Sequence, residues 1–178
     1  MGHTHGVTTP APDQNPPLSV PAGASIFSDS PSGQRQAVVQ ISVLVVDDSA
    51  LIRSMVGTHL AQRGFLVVRA GDGAEALAAL AVRKFDLLIT DLEMPHLDGH
   101  ALLAAVQDQY PLMRRIVMTG YTTVENALDA LKLGAVGFVP KPVDLRVVDE
   151  VVDLAVSEMR SWMKQLSTIR KLRRQQDG

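Results

Sequence analysis

The chain has 178 residues, 46% of them hydrophobic, and a formal net charge of -2 at pH 7. This length can bury one substantial core with residues to spare, and the near-neutral charge argues against the whole molecule being a nucleic-acid binder. The chain contains no cysteine, which excludes a disulfide framework, a thiolate nucleophile and a cysteine metal site.

Residues 1–38 are rich in proline, serine, glycine, threonine and alanine and contain few large apolar side chains. Because such a segment cannot bury enough surface to offset the entropy of ordering it, we predict a flexible leader. It lacks the basic region and apolar stretch of a secretory signal, and no apolar run approaches the roughly 20 residues that span a bilayer. We therefore expect a cytoplasmic protein without a membrane span.

From Ile41 onward, short apolar runs alternate with segments of helical periodicity. Continuous apolar runs are typical of parallel strands that are covered on both faces of a sheet. The predicted strands are 43–46, 65–68, 87–89, 116–118 and 136–139, and the predicted helices between them are 50–63, 73–83, 99–109 and 123–133. Five such units with right-handed crossovers predict a doubly wound α/β fold.

Capping residues agree with these boundaries. Gly64 and Gly134 stand where two helices should end, and Ser49 and either Thr122 or Thr123 stand where two should begin. Glycine is favoured after a helix because it adopts positive φ, and serine or threonine before a helix can accept a bond from a free backbone amide.

Chemically reactive side chains follow the ends of four predicted strands. Asp47 and Asp48 end the first strand, Asp91 the third and Thr119 the fourth, and the fifth runs into Lys141. A parallel sheet brings these ends to one edge, where ligands of open α/β sheets bind. Three crowded carboxylates repel one another unless a positive charge lies among them, and their hard oxygen ligands favour Mg²⁺.

The same set of residues suits phosphoryl transfer. A metal ion, the Lys141 ammonium and the Thr119 hydroxyl around one carboxylate could stabilise the equatorial oxygens of a transferring phosphoryl group. The carboxylate itself can serve as the nucleophile by forming an acyl phosphate. Each residue alone has a simpler explanation, since an acidic pair after a strand is commonly a helix N-cap feature. The combination on one edge favours the phosphoryl site.

Four segments of the sequence resemble the receiver domains of two-component response regulators. These segments are VLVVDDS at 43–49, DLEMPHLDG at 91–99, VMTG at 117–120 and FVPKP at 138–142. The resemblance covers about residues 41–155, and we assign the receiver domain to 39–157. It implies a flavodoxin-like, five-stranded parallel sheet of order 2-1-3-4-5. It also implies a protein that accepts a phosphoryl group from a histidine kinase or phosphotransfer protein and then switches protein–protein interaction or dimerisation.

The resemblance assigns a metal and acceptor site by position. Asp91 would be the phosphoacceptor. Asp48 and Asp91 would bind Mg²⁺ directly, together with the backbone carbonyl of Glu93, and Asp47 would act largely through a metal-bound water. The protein would catalyse only its own phosphorylation and dephosphorylation. Glu93 and Tyr121 occupy positions that influence the lifetime of the phosphoryl group in this family.

The resemblance also assigns the switch. Lys141 would pair with the phosphoryl group, Thr119 would move toward it, and Phe138 would change rotamer. The Lys141–Pro142 peptide should be cis. Gly120, directly after Thr119, should leave room for the phosphoryl group to enter.

Beyond the receiver, residues 158–178 predict a helical extension. Apolar residues follow alternating four- and three-residue steps, a heptad pattern, at Val148, Val152, Ala155, Met159, Trp162, Leu166 and Ile169. No proline or glycine interrupts residues 143–177, so the last helix should run well beyond the domain. An exposed apolar stripe of Met159, Trp162, Leu166 and Ile169 implies a partner.

The first interpretation of this stripe is a parallel homodimeric coiled coil, and the alternative is docking onto a different protein. The heptad pattern fails at Arg173, so the coil should fray there. The basic end formed by Arg170, Lys171, Arg173 and Arg174 is interpreted as a solvated helix terminus favoured by the helix dipole. A contact with nucleic acid or membrane is the lesser alternative, since no recognised DNA-binding unit follows.

Two other functions fit part of the pattern. Asp91-Leu92-Glu93 is a near miss for the paired-aspartate motif of Mg²⁺ phosphohydrolases, but no cap domain is evident. A flavodoxin-like cofactor binder would need a phosphate-binding loop after the first strand, where Asp47 and Asp48 would repel a phosphate without a metal.

Overall fold

A computed structural model describes residues 40–95, 99–120 and 124–176. The predicted leader, Tyr121 and the N-cap at Thr122 or Thr123 lie outside these residues. The strands are β1 (Ser42–Val46), β2 (Leu66–Ala70), β3 (Leu87–Asp91), β4 (Arg114–Thr119) and β5 (Ala135–Pro140). The helices are α1 (Ala50–Gln62), α2 (Gly73–Val82), α3 (Gly99–Gln109), α4 (Val124–Lys132) and α5 (Leu145–Gln176).

The five strands form one parallel sheet in the order β2-β1-β3-β4-β5. The doubly wound fold and its strand order are therefore confirmed. The register places Val46 opposite Thr90, Asp91 opposite Met118 and Thr119 opposite Pro140. These pairs align the carboxyl ends of β1, β3, β4 and β5 along a single edge.

Two apolar clusters cover the sheet, one on each face. Leu44, Leu88 and Val117 belong to the cluster that also contains Leu102 and Leu103 of α3. The intervening strand residues point to the other face, where they join residues of α1 and α5. All five residues of β1 and all five of β3 are buried, as expected for parallel strands that are covered on both faces of the sheet.

The capping predictions are confirmed where the structure describes them. Ser49 caps α1, and its side chain accepts a hydrogen bond from the Ile52 amide at 3.4 Å. Gly64 follows α1 with a φ of 91°, and Gly134 follows α4 with a φ of 76°. Both glycines thus adopt the left-handed conformation that commonly ends helices, which costs little energy for glycine because it has no side chain.

The last helix has two parts with different surroundings. Val148, Val152 and Ala155 are buried against the sheet. Trp162 and Ile169 are 57% and 60% exposed, so the apolar stripe continues past the domain without cover from the described residues. The prediction of an extended C-terminal helix is confirmed. No helix in the described ranges has the length and apolar character needed to cross a membrane.

Candidate functional site

Three carboxylates meet at the carboxyl edge of the sheet. Asp47 and Asp48 follow β1, and Asp91 is the last residue of β3. One ligand atom from each of the three lies within 4.8 Å of the others. Asp47 and Asp91 are buried, whereas Asp48 is exposed, so the cluster opens to solvent on the side of Asp48. The predicted convergence of these residues is present in the structure.

Lys141 supplies a positive charge to the two buried carboxylates. Its Nζ donates to Oδ2 of Asp91 at 2.6 Å and lies 2.9 Å from Oδ2 of Asp47. The second contact is an ion pair in which Asp47 Oδ2 lacks a well-oriented hydrogen bond. The short loop after β5 holds the lysine in place, because the Lys141 amide donates to the Thr119 carbonyl at 2.8 Å. The Lys141–Pro142 peptide is cis, as the resemblance implies.

The pKa values of Asp47 and Lys141 reflect both burial and neighbouring charges. Burial raises the pKa of Asp47 above its usual value, and the nearby ammonium of Lys141 offsets only part of that effect. Burial by itself would lower the pKa of Lys141, but Asp91 and Asp47 together outweigh it and raise the pKa. The ammonium therefore stays charged at neutral pH.

Backbone groups orient the acidic side chains. The Ser49 amide donates to Asp47 Oδ1 at 2.9 Å, and the Glu93 amide donates to Asp91 Oδ1 at 3.2 Å. Asp47 thus presents Oδ2 to the site. Asp91 has Oδ1 on the loop side and Oδ2 toward Lys141, so both oxygens of this buried carboxylate are oriented.

The residues fit a divalent cation. Three carboxylates around one ammonium carry two excess negative charges, and the buried Asp47 Oδ2 has no oriented donor. All-oxygen donor sets of this kind suit Mg²⁺, which keeps several waters and one or two carboxylates. The opening beside exposed Asp48 would admit such an ion and its waters.

Thr119 and Gly120 lie beside the carboxylate cluster. Thr119 is the buried last residue of β4 and stands one position beyond the partner of Asp91. Gly120 is exposed, and a Cβ added to it would meet nothing within 4 Å. Among the described residues, none therefore fills the space where a Gly120 side chain would begin, and the entry of a phosphoryl group there stays a prediction.

Phe138 and Glu93 have different settings. Phe138 lies in β5, is half-buried, and packs against the cluster that contains Ala130 of α4, so a change of its rotamer would alter that packing. Glu93 is exposed, and its described contact is the hydrogen bond that its backbone amide donates to Asp91 Oδ1. The metal-binding role of its carbonyl stays a prediction.

Two residues contact the site in ways that the sequence did not predict. Gly99 is the first residue of the helix predicted at 99–109, yet a Cβ on it would also collide with the Asp91 carbonyl. Arg53 donates to the backbone carbonyls of Asp47 and Asp48. The sequence Asp-Gly at 98–99 indicates the start of a helix but not the close approach of Gly99 to Asp91. No local sequence pattern indicates the role of Arg53.

Comparison with known proteins identifies the family. A model of the response regulator receiver domain matches residues 43–153, which is more than half of the chain. The chain belongs to the response regulator receiver domain family. Receiver domains are the phosphoacceptor domains of two-component signalling, so the phosphohydrolase and flavodoxin-like cofactor alternatives give way to this assignment.

The receiver domain has sequence relatives that are much longer than this chain. It is 36% identical over 115 residues to DNA-binding transcriptional regulator NtrC of Escherichia coli K12, covering 65% of this chain and 24% of that protein. It is 33% identical over 121 residues to transcriptional regulatory protein ZraR of Salmonella typhimurium, covering 68% and 27%. The chain thus spans about a quarter of the length of these curated relatives.

Solved receiver structures match almost end to end. Chemotaxis response regulator CheY4 of Vibrio cholerae aligns with a TM-score of 0.62 and 33% identity, over 65% of this chain and 98% of that one. A response regulator receiver protein from Pseudomonas putida aligns with a TM-score of 0.61 and 38% identity, over 64% and 96%. The receiver domain is therefore the part that this chain shares with them.

Proposed function

We propose that Asp91 is the residue that accepts the phosphoryl group from a histidine kinase or phosphotransfer protein. The observation that carries this proposal is the 2.6 Å bond between Lys141 Nζ and Asp91 Oδ2, inside a cluster of three carboxylates. Asp47 and Asp91 are both buried, and a backbone amide holds Oδ1 of each. They differ in that Asp91 Oδ2 accepts an oriented hydrogen bond from Lys141, whereas Asp47 Oδ2 does not.

In the proposed reaction an Asp91 carboxylate oxygen attacks the phosphorus of a phosphohistidine. The oxygen–phosphorus bond forms, the nitrogen–phosphorus bond breaks, and the imidazole leaves with its electron pair and takes up a proton. Lys141 and the Thr119 hydroxyl hold phosphoryl oxygens. Water then attacks the phosphorus of the acyl phosphate, which restores the Asp91 carboxylate and releases inorganic phosphate. In this proposal the protein catalyses only its own phosphorylation and dephosphorylation.

We propose Mg²⁺ as the cofactor of this step. Asp48, Asp91 and the backbone carbonyl of Glu93 would hold it, with Asp47 acting through a bound water. When bound, the ion would neutralise charge on the phosphoryl oxygens and on the crowded carboxylates. The two excess negative charges of the cluster support this choice.

The acceptor assignment is tested with acetyl phosphate and Mg²⁺. We expect a hydroxylamine-labile adduct on the native chain and none on Asp91→Asn. Asp108→Asn, which changes an exposed carboxylate on α3, is the matched control and should label normally. Labelling that survives in Asp91→Asn, or that disappears equally in Asp108→Asn, would overturn the assignment.

The proposed output is a change of packing at Thr119 and Phe138. Movement of Thr119 toward the phosphoryl group would free space behind it, and Phe138 would change rotamer against the cluster that includes α4. Such a switch works by shifting the population of two packings. The buried position of Thr119 and the half-buried position of Phe138 support this route.

We further propose that two copies associate through a parallel coiled coil of the extended helix. Trp162, Leu166 and Ile169 are 57%, 44% and 60% exposed and continue the heptad line of the buried part of α5. Met159, half-buried against the core, joins the two parts. Docking of the same stripe onto a different protein is the alternative, and we expect the whole process to take place in the cytoplasm.

The oligomeric mass tests this association. The full chain is measured with and without a beryllium fluoride mimic of the phosphoryl group and is compared with a chain that ends after Met159. A dimer in the full chain and a monomer in the shortened chain would support the coiled coil. A monomer in every sample would overturn it and leave the acceptor assignment intact.

A further inference from the structure

Arg53 lies on α1, directly below the loop that carries two of the three clustered carboxylates. Its Nη1 donates to the backbone carbonyl of Asp47 at 2.5 Å and to that of Asp48 at 3.4 Å. The first bond is short and charge-assisted, a type that is stronger than bonds between neutral groups. One guanidinium therefore ties down both backbone carbonyls of the β1–α1 loop.

The guanidinium is held between two loops of the same edge. A Cβ added to Gly71, in the turn between β2 and α2, would lie 3.5 Å from Arg53 Nη1 and 3.7 Å from Cζ. Within the described part of the chain Arg53 makes no ion pair with a carboxylate. Its described polar contacts are the two loop carbonyls, so its place in the structure is defined by that loop.

Asp47 is anchored at four points, and Arg53 provides the one side-chain bond to its backbone. The Asp47 amide donates to the Ala70 carbonyl at 3.3 Å, the Ser49 amide donates to Asp47 Oδ1, and Lys141 lies beside Asp47 Oδ2. Asp48, by contrast, is exposed, and the weaker bond from Arg53 is the described contact at its carbonyl. Releasing the carbonyls would let both carboxylates move relative to Asp91.

We propose that Arg53 is a positioning residue for the cation site, which acts by fixing the β1–α1 loop so that Asp47 and Asp48 converge with Asp91. The inference rests on the proposed Mg²⁺ site. Groups that orient metal ligands from behind commonly contribute tenfold or more to affinity. Arg53 differs from Lys141 in that it touches the backbone of the ligand loop rather than the ligand oxygens.

The test measures cation binding directly, without phosphorylation. Mn²⁺, a hard cation that accepts the same oxygen ligands, is titrated into the full chain, and free Mn²⁺ is counted by electron paramagnetic resonance. We expect Arg53→Ala to weaken binding by about tenfold. Arg53→Gln, which keeps a donor but loses the charge, should recover part of the affinity.

The matched control is Arg63→Ala at the other end of α1. Arg63 pairs with Asp149 and Asp153 of α5 at 2.7 and 2.6 Å, so its loss removes helix-to-helix bonds far from the loop. This variant should lower the unfolding temperature of the metal-free protein without changing Mn²⁺ affinity. Equal weakening in Arg63→Ala and Arg53→Ala would reduce the effect to general destabilisation and overturn the proposal.

The remaining outcomes are also decisive. Unchanged affinity in Arg53→Ala, with Mn²⁺ bound normally by the native chain, would refute the role of Arg53 alone. Failure of the native chain to bind Mn²⁺ at all would refute the proposed cation site instead. Tighter Mn²⁺ binding in Arg53→Ala is the result expected if the guanidinium acted mainly by repelling the cation, and it would reject the positioning role.

Discussion

Gly99, the first residue of α3, lies directly against the backbone carbonyl of Asp91. A Cβ built on Gly99 would collide with that oxygen and would lie 2.6 Å from the Cα of Leu92. The Gly99 amide also donates to the Leu92 carbonyl at 3.0 Å. The start of α3 and the backbone of the proposed acceptor are therefore packed as one unit, and only glycine fits between them.

Replacement of Gly99 should consequently damage both stability and the site. We expect Gly99→Ala to lower the free energy of unfolding by about 1–3 kcal/mol, because the methyl group must push the Asp91 backbone away. Urea unfolding measures the loss. Gly120→Ala is the control, since its added Cβ meets open space, and it should change stability little. A stable Gly99→Ala variant would contradict the close approach.

Removal of the Lys141 ammonium should make stability depend on a divalent cation. Lys141→Met leaves the buried Asp91 and Asp47 carboxylates without their partner, and breaking a buried pair in this way costs about 3–5 kcal/mol. Added Mg²⁺ should restore much of this loss by supplying the missing charge. Urea unfolding with and without Mg²⁺ measures the gain in stability, and this gain should be larger for Lys141→Met than for the native chain. Equal responses of the two proteins to Mg²⁺ would contradict the charge balance proposed for the site.

The positions of Asp47, Asp48, Asp91 and Lys141 were accessible from the sequence for a simple reason. Each follows a continuous apolar strand, and a parallel sheet aligns strand ends whatever their separation in the chain. The heptad line of α5 was accessible in the same way, because helical periodicity continues where cover from the domain ends. Strand order itself came from the resemblance and not from the pattern.

Other features depend on contacts that no local pattern encodes. β4 was predicted at 116–118, but the strand begins at Arg114 because Arg115 is buried, with Nε donating to the Gly134 carbonyl at 3.2 Å after α4. In the sequence, a charged residue such as Arg115 looks like the boundary of a strand. In the structure, its guanidinium donates a hydrogen bond to a backbone carbonyl just after α4. The contacts of Arg53 could not be predicted for a related reason, since its partners are backbone carbonyls that have no signature in the sequence.

The proposed coiled coil makes a direct prediction for Leu166. Leu166→Lys should weaken the dimer by more than tenfold, because each copy loses an apolar side chain worth about 1.5–3 kcal/mol of burial. Ser167→Lys, on a neighbouring exposed position of the same helix, is the matched control and should leave the dimer intact. Sedimentation equilibrium measures both, and labelling by acetyl phosphate should be normal in each. Equal effects of the two substitutions would reject the stripe as the interface.

The ionic-strength dependence of the dimer tests whether the two helices of the coil are parallel. Four of the five residues at 170–174 are basic, so a parallel pair brings two positively charged ends side by side. Salt shortens the screening length from about 10 Å at 0.1 M to about 3 Å at 1 M. The dimer should therefore tighten as NaCl is raised, and a variant carrying Arg170→Gln and Arg173→Gln should show a weaker dependence. Association that loosens with salt would instead indicate attraction between opposite charges within the pair, and it would contradict the parallel arrangement.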